Sequence, residues 1–415
     1  MIVSEMPARS TNSTLKRWLS IVGIGEDGAE GLSPLARRLI EEAGLVVGGT
    51  RHLALAGSLI RGERLAWPSP IDAAFPQILG HRGRAVAVLA SGDPFHYGIG
   101  KQLAAIVGAE EFVCIPQASA FSLAAARMGW ALQDASLVSL HGRALAGIVR
   151  HLHPRARILA LSWDGTTPAK LAALLSERGL GASRITVLER MGGASERVRG
   201  KIAQGFALDD IDPLNTIALE VVADTEKRII PLSPGLDDDL YESDGQLTKR
   251  EVRAVVLSSL APRYGELLWD IGLGAGSIAI EWLLRHPSLR AIGVEARADR
   301  AARAARNAAA LGAPDLQIVP GRAPDALKDL PAPDAVFIGG GLGDGVLDAA
   351  WQALRPGGRL VANAVTLEGE QRLSAAFQRL GGELLRIEIA RAEAVGGLHG
   401  WRPAMPITHW RVTKT

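Results

Sequence analysis

A short glycine-rich stretch in the second half of the chain constrains the fold more than any other feature. An apolar run leads into it, glycines alternate through a tight loop, and an apolar helical pattern follows at once. The residues concerned are Asp270, Gly272, Gly274, Gly276 and Ser277. Glycine lets a backbone approach a ligand closely, and the first turn of a helix has backbone N–H groups without partners. This order therefore predicts a nucleotide-type site at the carboxyl edge of a parallel sheet.

The spacing of these glycines indicates which type of cofactor the loop binds. A dinucleotide fingerprint is Gly-x-Gly-x-x-Gly, whereas this loop is Gly-x-Gly-x-Gly with Ser277 at the third glycine position of the dinucleotide motif. The next apolar run ends in Glu295, about where a carboxylate that binds a ribose diol is expected. The pattern indicates a nucleoside cofactor without a pyrophosphate. It resembles motif I of the Rossmann-like S-adenosylmethionine methyltransferases.

The length of the chain favours two domains. With 415 residues, it exceeds the usual size of a single domain. A stretch rich in Pro, Gly and Asp at 233–239 is the predicted linker, which gives domains at 17–232 and 233–415. The polar residues 1–16 are expected to be a disordered lead-in.

Composition excludes several classes of protein. No run reaches the roughly 20 apolar residues of a membrane span, and residues 1–16 lack the apolar core of a signal peptide. Cys114 is the only cysteine, so internal disulfides are excluded and a cytoplasmic location is expected. A net charge of +2 offers little for nucleic acid or a membrane surface. The excess of Arg over Lys fits either an acidic substrate or a GC-rich coding sequence.

Strand and helix patterns alternate regularly in the second half. Helical patterns at 297–311 and 345–354 separate the strands. This arrangement predicts a doubly wound sheet with an antiparallel end. The expected strands are 267–272, 291–295, 316–319, 335–338, 359–364, 383–390 and 407–412.

The first half opens with a second glycine loop. Gly23, Gly25 and Gly28 match Gly-x-Gly-x-x-Gly literally, but the helix start signal, Ser33-Pro34, lies several residues beyond the motif. The next strand has no acid at its end, although Arg51 there could bind the 2′-phosphate of NADP. An NADP site is therefore an alternative for this loop.

A buried strand at 86–91 continues into a Gly-Asp-Pro turn formed by Gly92, Asp93 and Pro94. Similar turns close several strands of this half, which predicts a cleft built by loops at one edge of a sheet. Asp93 is expected either to bind the ligand of that cleft or to cap the turn before Pro94.

Both halves resemble known families of methyltransferases. Residues 22–25 and 91–94 resemble the tetrapyrrole methylase family, and 139–143 resemble its CbiE-like branch. The second half is similar to the CbiT-like methyltransferases. The supporting residues there are 245–253, 270–276, Glu295 and 321–324. The two patterns follow each other in the order of a fusion of these enzymes.

The resemblance implies an amino-terminal tetrapyrrole-methylase (class III) α/β domain and a carboxyl-terminal Rossmann-like class I methyltransferase domain. It implies methylation of the polycarboxylate corrinoid precorrin-6Y at C5 and C15, with decarboxylation of its C12 acetate, giving precorrin-8 in cobalamin biosynthesis. S-adenosylmethionine is the expected cofactor, with one site per domain. The amino-terminal domain is expected to methylate C5, and the carboxyl-terminal domain to decarboxylate and methylate C15. A homo-oligomer is expected.

The resemblance also gives the candidate cofactor-binding residues. They are Gly23, Gly25, Gly92, Asp93, Thr248, Gly272, Gly274, Ala275, Gly276, Glu295 and Ala323. Thr248 has a second interpretation as a helix N-cap, because Glu251 lies three residues on as in a capping box.

This chain departs from the family pattern at two positions. Glu26 and Asp27 occupy the place where the amino-terminal loop usually has proline, so the conformation of that loop does not follow from the family pattern. Ala275 stands where threonine is common, so one hydroxyl is lost. Neither change removes a backbone donor.

The remaining candidates have weaker signals. His141 and Arg143 are candidate substrate-binding residues, or part of a solvated loop. His151 and His153 lack partners at metal-site spacing, so no metal site is expected. Four arginines at 297, 300, 303 and 306 predict a solvated helix face. No residue is identified as a general base.

Three other functions remain open from the sequence alone. An RNA or protein methyltransferase would use the same glycine loop, but would require a basic stripe with aromatic side chains. A tetrapyrrole-binding regulator without activity would not need the intact glycine loops. An NADP-dependent reductase would use the loop at Gly23.

Overall fold

The computed structural model describes residues 17–223 and 229–415, which form two compact units. Residues 17–142 and 154–223 form the amino-terminal unit, and residues 143–153 and 229–415 form the carboxyl-terminal unit. The expected disordered lead-in, 1–16, lies outside the described residues.

The amino-terminal unit begins with a five-stranded parallel sheet in the order β3-β2-β4-β1-β5. Side chains of β1 alternate between two hydrophobic clusters, with Leu19 and Ile21 in one and Val22 and Ile24 in the other. Apolar side chains on both faces are typical of a parallel sheet covered on both sides. The strands are β1 Leu19–Ile24, β2 Leu45–Gly48, β3 Glu63–Ala66, β4 Val86–Ser91 and β5 Phe112–Ile115.

Four helices connect these strands: α1 Pro34–Glu41, α2 Thr50–Leu55, α3 Phe75–Leu79 and α4 Gly100–Ile106. The first begins as predicted, because the hydroxyl of Ser33 caps it by accepting the backbone N–H of Ala36 at 3.2 Å. Nine residues of loop therefore separate the end of β1 from this helix. The literal dinucleotide motif at Gly23 has no helix at its third glycine.

A second sheet completes the unit in the order β6-β7-β10-β8-β9. Helix α5 begins after its N-cap Ser119 and packs Phe121 and Ala124 against this sheet. The strands are β6 Ala135–Ser139, β7 Arg157–Leu161, β8 Arg184–Glu189, β9 Arg197–Ile202 and β10 Asn215–Glu220, and the helices are α5 Ala120–Met128 and α6 Thr167–Glu177.

The carboxyl-terminal unit contains a seven-stranded sheet in the order β13-β12-β11-β14-β15-β19-β16. Its first five strands are parallel and β19 is antiparallel to both neighbours, so the predicted doubly wound sheet with an antiparallel end is confirmed. The strands are β11 Leu267–Ile271, β12 Arg290–Glu295, β13 Gln317–Pro320, β14 Ala335–Ile338, β15 Arg359–Ala364, β16 Glu383–Ile387 and β19 Ile407–Thr413.

Five helices flank this sheet: α7 Arg250–Leu260, α8 Ser277–Arg285, α9 Ala298–Ala310, α10 Val346–Ala353 and α11 Leu367–Leu380. Short 3₁₀ helices occur at Ile71–Ala74, Leu132–Asp134, Leu145–His151, Asp238–Leu240 and Asp325–Leu327 across the two units.

The predicted strand at 383–390 is wrong at its end. Strand β16 stops at Ile387, and a separate hairpin follows, with β17 at Ala390–Val395 and β18 at Leu398–Pro403. Two glycines, Gly396 and Gly397, join its strands, and a Gly-Gly pair between two strand-like runs is a known hairpin signal. The sequence analysis missed that signal.

The stretch 233–239, predicted to be a linker, is packed into the carboxyl-terminal unit. The Glu281 carboxylate accepts the backbone N–H groups of Gly235 and Leu236, at 2.6 and 3.0 Å, and the Arg253 guanidinium, at 2.8 Å. Both charged side chains are fully buried. Their mutual pairing compensates for the loss of water and fixes the stretch against α7 and α8.

Residues 143–153 had been expected in the amino-terminal domain, but their contacts are with the carboxyl-terminal unit. The Arg150 guanidinium donates to the backbone carbonyl of Gly312, at 2.8 and 2.9 Å, and to that of Leu283, at 3.2 Å. Burial lowers the pKa of Arg150, whose charge is held by carbonyl dipoles.

None of the helices in the described ranges combines the length and the apolar composition needed to cross a membrane.

Candidate functional site

The predicted glycine loop of the carboxyl-terminal unit, residues 272–276, lies between β11 and α8 at the carboxyl edge of the sheet. Gly272, Gly274 and Gly276 have φ values of +75°, +57° and +80°. A Cβ atom on Gly272 would lie 2.6 Å from the carbonyl oxygen of Gly340, which follows the neighbouring strand β14. The first glycine is therefore required by both backbone conformation and space.

The loop leaves backbone donors exposed to a ligand. The N–H of Gly276 bonds to the Leu273 carbonyl at 2.8 Å, and the N–H of Gly272 to the Val294 carbonyl at 3.0 Å. In contrast, the N–H groups of Ala275, Ser277 and Ile278 have no hydrogen-bond partner among residues 17–223 and 229–415. These donors lie at a helix amino terminus, where an electron-rich ligand atom is favoured.

Glu295 lies beside this loop, as predicted. Its carboxylate is only 6% exposed and accepts the backbone N–H groups of Gly274 and Arg297, both at 2.9 Å. Each carboxylate oxygen has a second lone pair that can accept a ribose hydroxyl. The structure thus brings together five candidates: Gly272, Gly274, Ala275, Gly276 and Glu295.

Asp270 is a further acid at this site, for which the sequence analysis gave no role. Its carboxylate is 2% exposed and accepts the N–H of Ala279 at 3.0 Å, so it caps the first turn of α8. Burial raises the pKa of Asp270 to about 7, with a smaller contribution from the charge of Glu295. In the folded chain this carboxyl group holds a proton across a range where an ordinary Asp is ionised.

This raised pKa predicts a pH-dependent contribution to stability. Between pH 4 and 7 the folded state binds more protons than the unfolded state, so the contribution is largest below pH 4 and is lost as the pH rises through 7. One pKa unit corresponds to about 1.4 kcal/mol, so the loss is at most about 4 kcal/mol. We expect Asp270→Asn to remove this dependence, since an amide oxygen can still cap α8.

Calorimetry of the intact chain from pH 4 to 8 checks this prediction. The melting temperature of wild type minus that of Asp270→Asn should fall as the pH rises. Asp348→Asn, an exposed position in the same unit, is the matched control. A difference that stays constant, or grows, with pH would contradict the expected protonation of Asp270.

Two further candidates of this unit, Ala323 and Thr248, lie outside the glycine loop. Ala323 belongs to the turn after β13, where the N–H of Gly321 bonds to the Glu295 carbonyl at 2.9 Å. Thr248 precedes α7, and its carbonyl accepts from the Arg253 guanidinium. The capping-box interpretation of Thr248 is wrong, because the N-cap of α7 is Lys249 and no side chain caps that helix.

The amino-terminal unit builds a second site from the loops after β1, β4 and β5. The Gly92 carbonyl accepts the N–H of Gln117 at 3.1 Å, and the N–H of Gly92 donates to the Ile24 carbonyl at 3.2 Å. A Cβ atom on Gly23 would lie 1.9 Å from the Gly92 carbonyl oxygen and 2.7 Å from the Gln117 nitrogen. The predicted residues Gly23 and Gly92 are therefore in direct contact.

Ion pairs hold the loop after β1, in which Glu26 and Asp27 occupy the place of the family's proline. The Glu26 carboxylate pairs with Arg51 and, at 3.2 Å, with Arg190, which also bonds to Asp212 at 2.5 Å. The Asp27 side chain folds back towards the candidate Gly25. A Cβ atom on Gly25 would lie 2.6 Å from Oδ1 of Asp27. Charge pairing thus holds this loop at the position where the family pattern has proline.

These ion pairs also bear on the NADP alternative. The Arg51 guanidinium bonds to the Glu26 carboxylate and, at 2.9 Å, to the hydroxyl of Ser91. Burial, together with the charge of Arg51, lowers the pKa of His52 to about 4, so this neighbour is neutral. A guanidinium engaged by a carboxylate is poorly suited to a phosphate, and no helix begins at this loop.

Asp93 caps its own turn, as one of its two interpretations predicted. Its Oδ1 accepts the N–H of Phe95 at 2.9 Å. Phe95 and Tyr97, which follow, are about half exposed, and the Tyr97 hydroxyl donates to the Leu137 carbonyl of β6 at 3.4 Å. Exposed aromatic rings that follow the Gly-Asp-Pro turn can contact a planar ligand. The sequence analysis did not single out these two side chains.

The two weak candidates, His141 and Arg143, fall in different units. The His141 ring lies 6.0 Å from the ring of Trp163, which is also exposed and follows β7. Arg143 begins the segment that contacts the carboxyl-terminal unit.

His151 and His153 both belong to the carboxyl-terminal unit. No group of three metal-ligating side chains occurs in the part of the chain that the structure describes. Burial, with the charge of Arg150, lowers the pKa of His151 to about 4. This histidine ends a 3₁₀ helix and is half-buried.

The arginines of α9 do more than form a solvated face. Arg300 and Arg303 pair with Asp244, at 2.8 and 3.3 Å, and Arg306 pairs with Glu242 at 2.7 Å. They bind a segment, residues 241–248, that we call the strap. The sequence analysis missed this role, because the acids lie more than 50 positions away.

Comparisons with known proteins match both halves of the chain. Residues 19–204 match the family model of tetrapyrrole (corrin/porphyrin) methylases, and residues 239–414 match that of the precorrin methyltransferase domain. The chain is 55% identical over 408 residues to a precorrin-6Y C(5,15)-methyltransferase [decarboxylating] from a Sinorhizobium species. The match covers 98% of this chain and 99% of that protein.

Two shorter relatives each match part of the chain. A cobalt-precorrin-7 C(5)-methyltransferase of Salmonella typhimurium is 33% identical over 180 residues, 43% of this chain and 88% of that protein. A probable cobalt-precorrin-6B C(15)-methyltransferase (decarboxylating) of Saccharolobus solfataricus is 33% identical over 172 residues, 40% of this chain and 85% of that protein.

Proposed function

This chain belongs to the family of decarboxylating precorrin-6Y C(5,15)-methyltransferases, and we propose that each of its two units binds one S-adenosylmethionine and performs one methylation. Members of this family transfer methyl groups from S-adenosylmethionine to a precorrin. The amino-terminal unit would methylate C5. The carboxyl-terminal unit would decarboxylate the C12 acetate and methylate C15, so that precorrin-6Y becomes precorrin-8.

One observation carries the proposal of two sites. Each unit has its own parallel sheet, and at the carboxyl edge of each sheet glycine backbones meet so closely that a side chain would collide with them. The contacts are Gly23 with Gly92 in the amino-terminal unit and Gly272 with Gly340 in the other. Ligands of open parallel sheets bind at this edge.

The residues of the carboxyl-terminal unit fit S-adenosylmethionine. Glu295 offers acceptor positions for a ribose diol, and the N–H groups of Ala275 and Ser277 offer donors to its polar groups. S-adenosylmethionine has no pyrophosphate, so its site needs no cluster of positive charge, and the Gly-x-Gly-x-Gly spacing agrees with this. In the amino-terminal unit the fit rests on Gly23, Gly25, Gly92 and Asp93.

Positioning accounts for most of the chemistry that we assign to this chain. When bound, S-adenosylmethionine supplies an electrophilic methyl group. Loss of CO2 from the C12 acetate leaves an electron pair in the conjugated ring, which can form the new C–C bond as the S–C bond breaks. A Cβ atom on Gly340 or Gly341 would meet no atom within 4 Å, so these two glycines leave space for a large planar substrate next to the glycine loop. Holding both reactants in line supplies much of the rate enhancement.

The two shorter relatives support the division between the units. One is named for C5 methylation alone and the other for decarboxylating C15 methylation alone, and each matches less than half of this chain. The comparisons favour this division over an RNA or protein methyltransferase and over an inactive regulator. The cytoplasmic location and the absence of a nucleic-acid partner remain part of the proposal, based on one cysteine and a net charge of +2.

Isothermal calorimetry of the intact chain with S-adenosylmethionine tests the proposal. Two bound molecules per chain are expected. A stoichiometry of one would contradict the proposal of a donor site in each unit, and no binding would contradict both sites. Conversion of precorrin-6Y with an isotope-labelled methyl donor then locates the label at C5, at C15 or at both.

The hairpin β17–β18 supports the predicted homo-oligomer. It pairs with no other strand of the described ranges, and Leu398 and Trp401 are each 77% exposed. An isolated two-stranded hairpin is at best marginally stable in water, and exposed large apolar side chains favour association. A second copy of the chain is the occupant that we propose for this surface.

We expect the double variant Leu398→Glu and Trp401→Glu to lower the oligomeric state, because two new charges would be buried without partners. Light scattering after gel filtration measures the mass. Gly397→Ala is the matched control, since no atom lies within 4 Å of its added Cβ. A wild type that is monomeric at micromolar concentration would refute the oligomer, and an unchanged mass in the double variant would refute the role of the hairpin.

A further inference from the structure

Asn307, on α9, forms three hydrogen bonds that join two parts of the carboxyl-terminal site. Its Nδ2 donates to the carbonyl of Ala275 in the glycine loop at 2.9 Å and to the carbonyl of Glu242 in the strap at 3.0 Å. Its Oδ1 accepts the N–H of Glu242 at 2.9 Å. The side chain is 2% exposed, so these bonds do not compete with bulk water.

Only a primary amide satisfies this arrangement. The site requires two donors and one acceptor at fixed positions, which the asparagine side chain supplies. The partners also fix the orientation of the amide, because the reverse orientation would place NH2 against the N–H of Glu242 and oxygen against two carbonyls. Aspartate would lose both donations and would place a charge against the two carbonyl oxygens.

The bond to Ala275 bears directly on the donors of the loop. The Ala275 carbonyl lies in the chain between the unpartnered N–H groups of Ala275 and Ser277. The Ala275 carbonyl belongs to the peptide group that joins Ala275 to Gly276, so this bond anchors the central one of three consecutive peptide groups, and the two donors belong to the groups on either side. Asn307 therefore limits how far those two groups can move, although it is not itself one of the donors.

The strap is held on α9 by charges as well as by Asn307. Asp244 bonds to Arg300 Nε at 2.8 Å and lies 3.3 Å from Arg303 Nη1, and the Arg300 guanidinium also reaches Gln246 at 2.7 Å. Burial opposes ionisation of Asp244, but the backbone N–H of Gln246 and the guanidinium of Arg300 outweigh it and lower its pKa to about 2. The strap then leads to Thr248, one of the candidate cofactor residues.

We propose that Asn307 is a positioning residue for the carboxyl-terminal methyl-donor site, which holds the glycine loop and the strap in the arrangement that binds S-adenosylmethionine. This inference rests on the proposed cofactor site of that unit. Asn307 acts through Ala275 and Glu242. The ion pairs of Asp244 secure the far end of the strap.

The test compares Asn307→Leu with wild type on the intact chain by calorimetry with S-adenosylmethionine. Leucine has a similar volume and forms none of the three hydrogen bonds. We expect the dissociation constant of the carboxyl-terminal site to rise by about tenfold to a hundredfold, since a net hydrogen bond contributes roughly 1 kcal/mol. The dissociation constant of the amino-terminal site and the KM for precorrin-6Y should not change.

A second variant covers the case in which Asn307→Leu does not fold. Asp244→Asn loosens the strap without touching the glycine loop, and we expect a rise of about threefold in the same dissociation constant, with a weaker dependence on salt. Arg386→Gln, an exposed arginine paired with Glu370 away from the strap, is the matched control.

The outcomes separate the inference from the function on which it rests. If wild type binds no S-adenosylmethionine in the carboxyl-terminal unit, the proposed function fails for that unit. If wild type binds it and folded Asn307→Leu binds within twofold of wild type, Asn307 has only a structural role and the inference is refuted. A lowered melting temperature with unchanged affinity would refute it as well.

Discussion

Replacing Gly272 by alanine is expected to abolish methyl-donor binding in the carboxyl-terminal unit, with loss of C15 methylation and decarboxylation. Gly272 has φ +75°, a conformation that costs an L-residue about 1–2 kcal/mol. Its Cβ would also lie 2.6 Å from the Gly340 carbonyl oxygen and 2.9 Å from the carbonyl carbon. Because both contacts are with backbone atoms, the glycine loop or the end of β14 must move, and both border the proposed site.

Calorimetry with S-adenosylmethionine and product analysis with precorrin-6Y measure this effect. We expect affinity at the carboxyl-terminal site to fall at least about a hundredfold, which corresponds to about 2.7 kcal/mol. Gly147→Ala is the matched control in the same unit, because the nearest atom to its added Cβ is 4.0 Å away and its φ is not left-handed. Two bound donors per chain with wild-type affinities would show that the loop does not form the site.

Gly23→Ala is expected to have the corresponding effect on the amino-terminal unit. The added Cβ would lie 1.9 Å from the Gly92 carbonyl oxygen and 2.7 Å from the Gln117 nitrogen, so the three loops after β1, β4 and β5 could not keep their contacts. Donor binding at this site and C5 methylation should be lost. The carboxyl-terminal site should keep its affinity, since its donors lie in the other unit.

The control for this variant is Gly44→Ala, whose Cβ would meet only the Ala85 carbonyl oxygen at 3.7 Å. The two glycine variants, each made in the intact chain, should place the methyl label at different carbons of the product. Gly272→Ala should yield a product labelled at C5 alone, provided that C5 can be methylated first. Gly23→Ala should yield a decarboxylated product labelled at C15. If Gly23→Ala instead removes the C15 label and leaves C5, the assignment of reactions to units is reversed.

Much of the fold could be predicted from local patterns. Strands β14 and β15 were predicted at their observed bounds, and the start of α1 at Ser33 followed from its cap and proline. These features depend on the properties of a few consecutive residues, such as alternating or continuous apolar runs and helix start signals. The pattern failed at 383–390, where a continuous strand was expected and the structure begins a hairpin.

The candidate sites were predicted less evenly. The register of Gly272, Gly274 and Gly276 placed these residues in one loop, as the structure has them, because a strand, a tight loop and a helix are adjacent in sequence. The offset of Glu295 placed it at the end of the next strand, where its carboxylate accepts the N–H of Gly274. The roles of Glu26 and Arg190 were not visible, since the two residues are 164 positions apart and pair only through the packing of the amino-terminal unit. Thr248 and Glu251 match the capping-box motif in sequence. In the structure, however, α7 has Lys249 as its N-cap and no side-chain cap.

Local sequence patterns were enough to predict two halves of α/β type, with a glycine loop at a strand end in each. The reason is that periodicity, glycine spacing and end signals act over a few residues and are already present in the unfolded chain. The contacts that hold those loops became visible only in the folded structure. Asn307 meets Ala275 and Glu242 across 32 and 65 positions, and residues 143–153 pack with the carboxyl-terminal unit. Such contacts leave no local pattern, because they depend on which surfaces of distant elements are buried against each other.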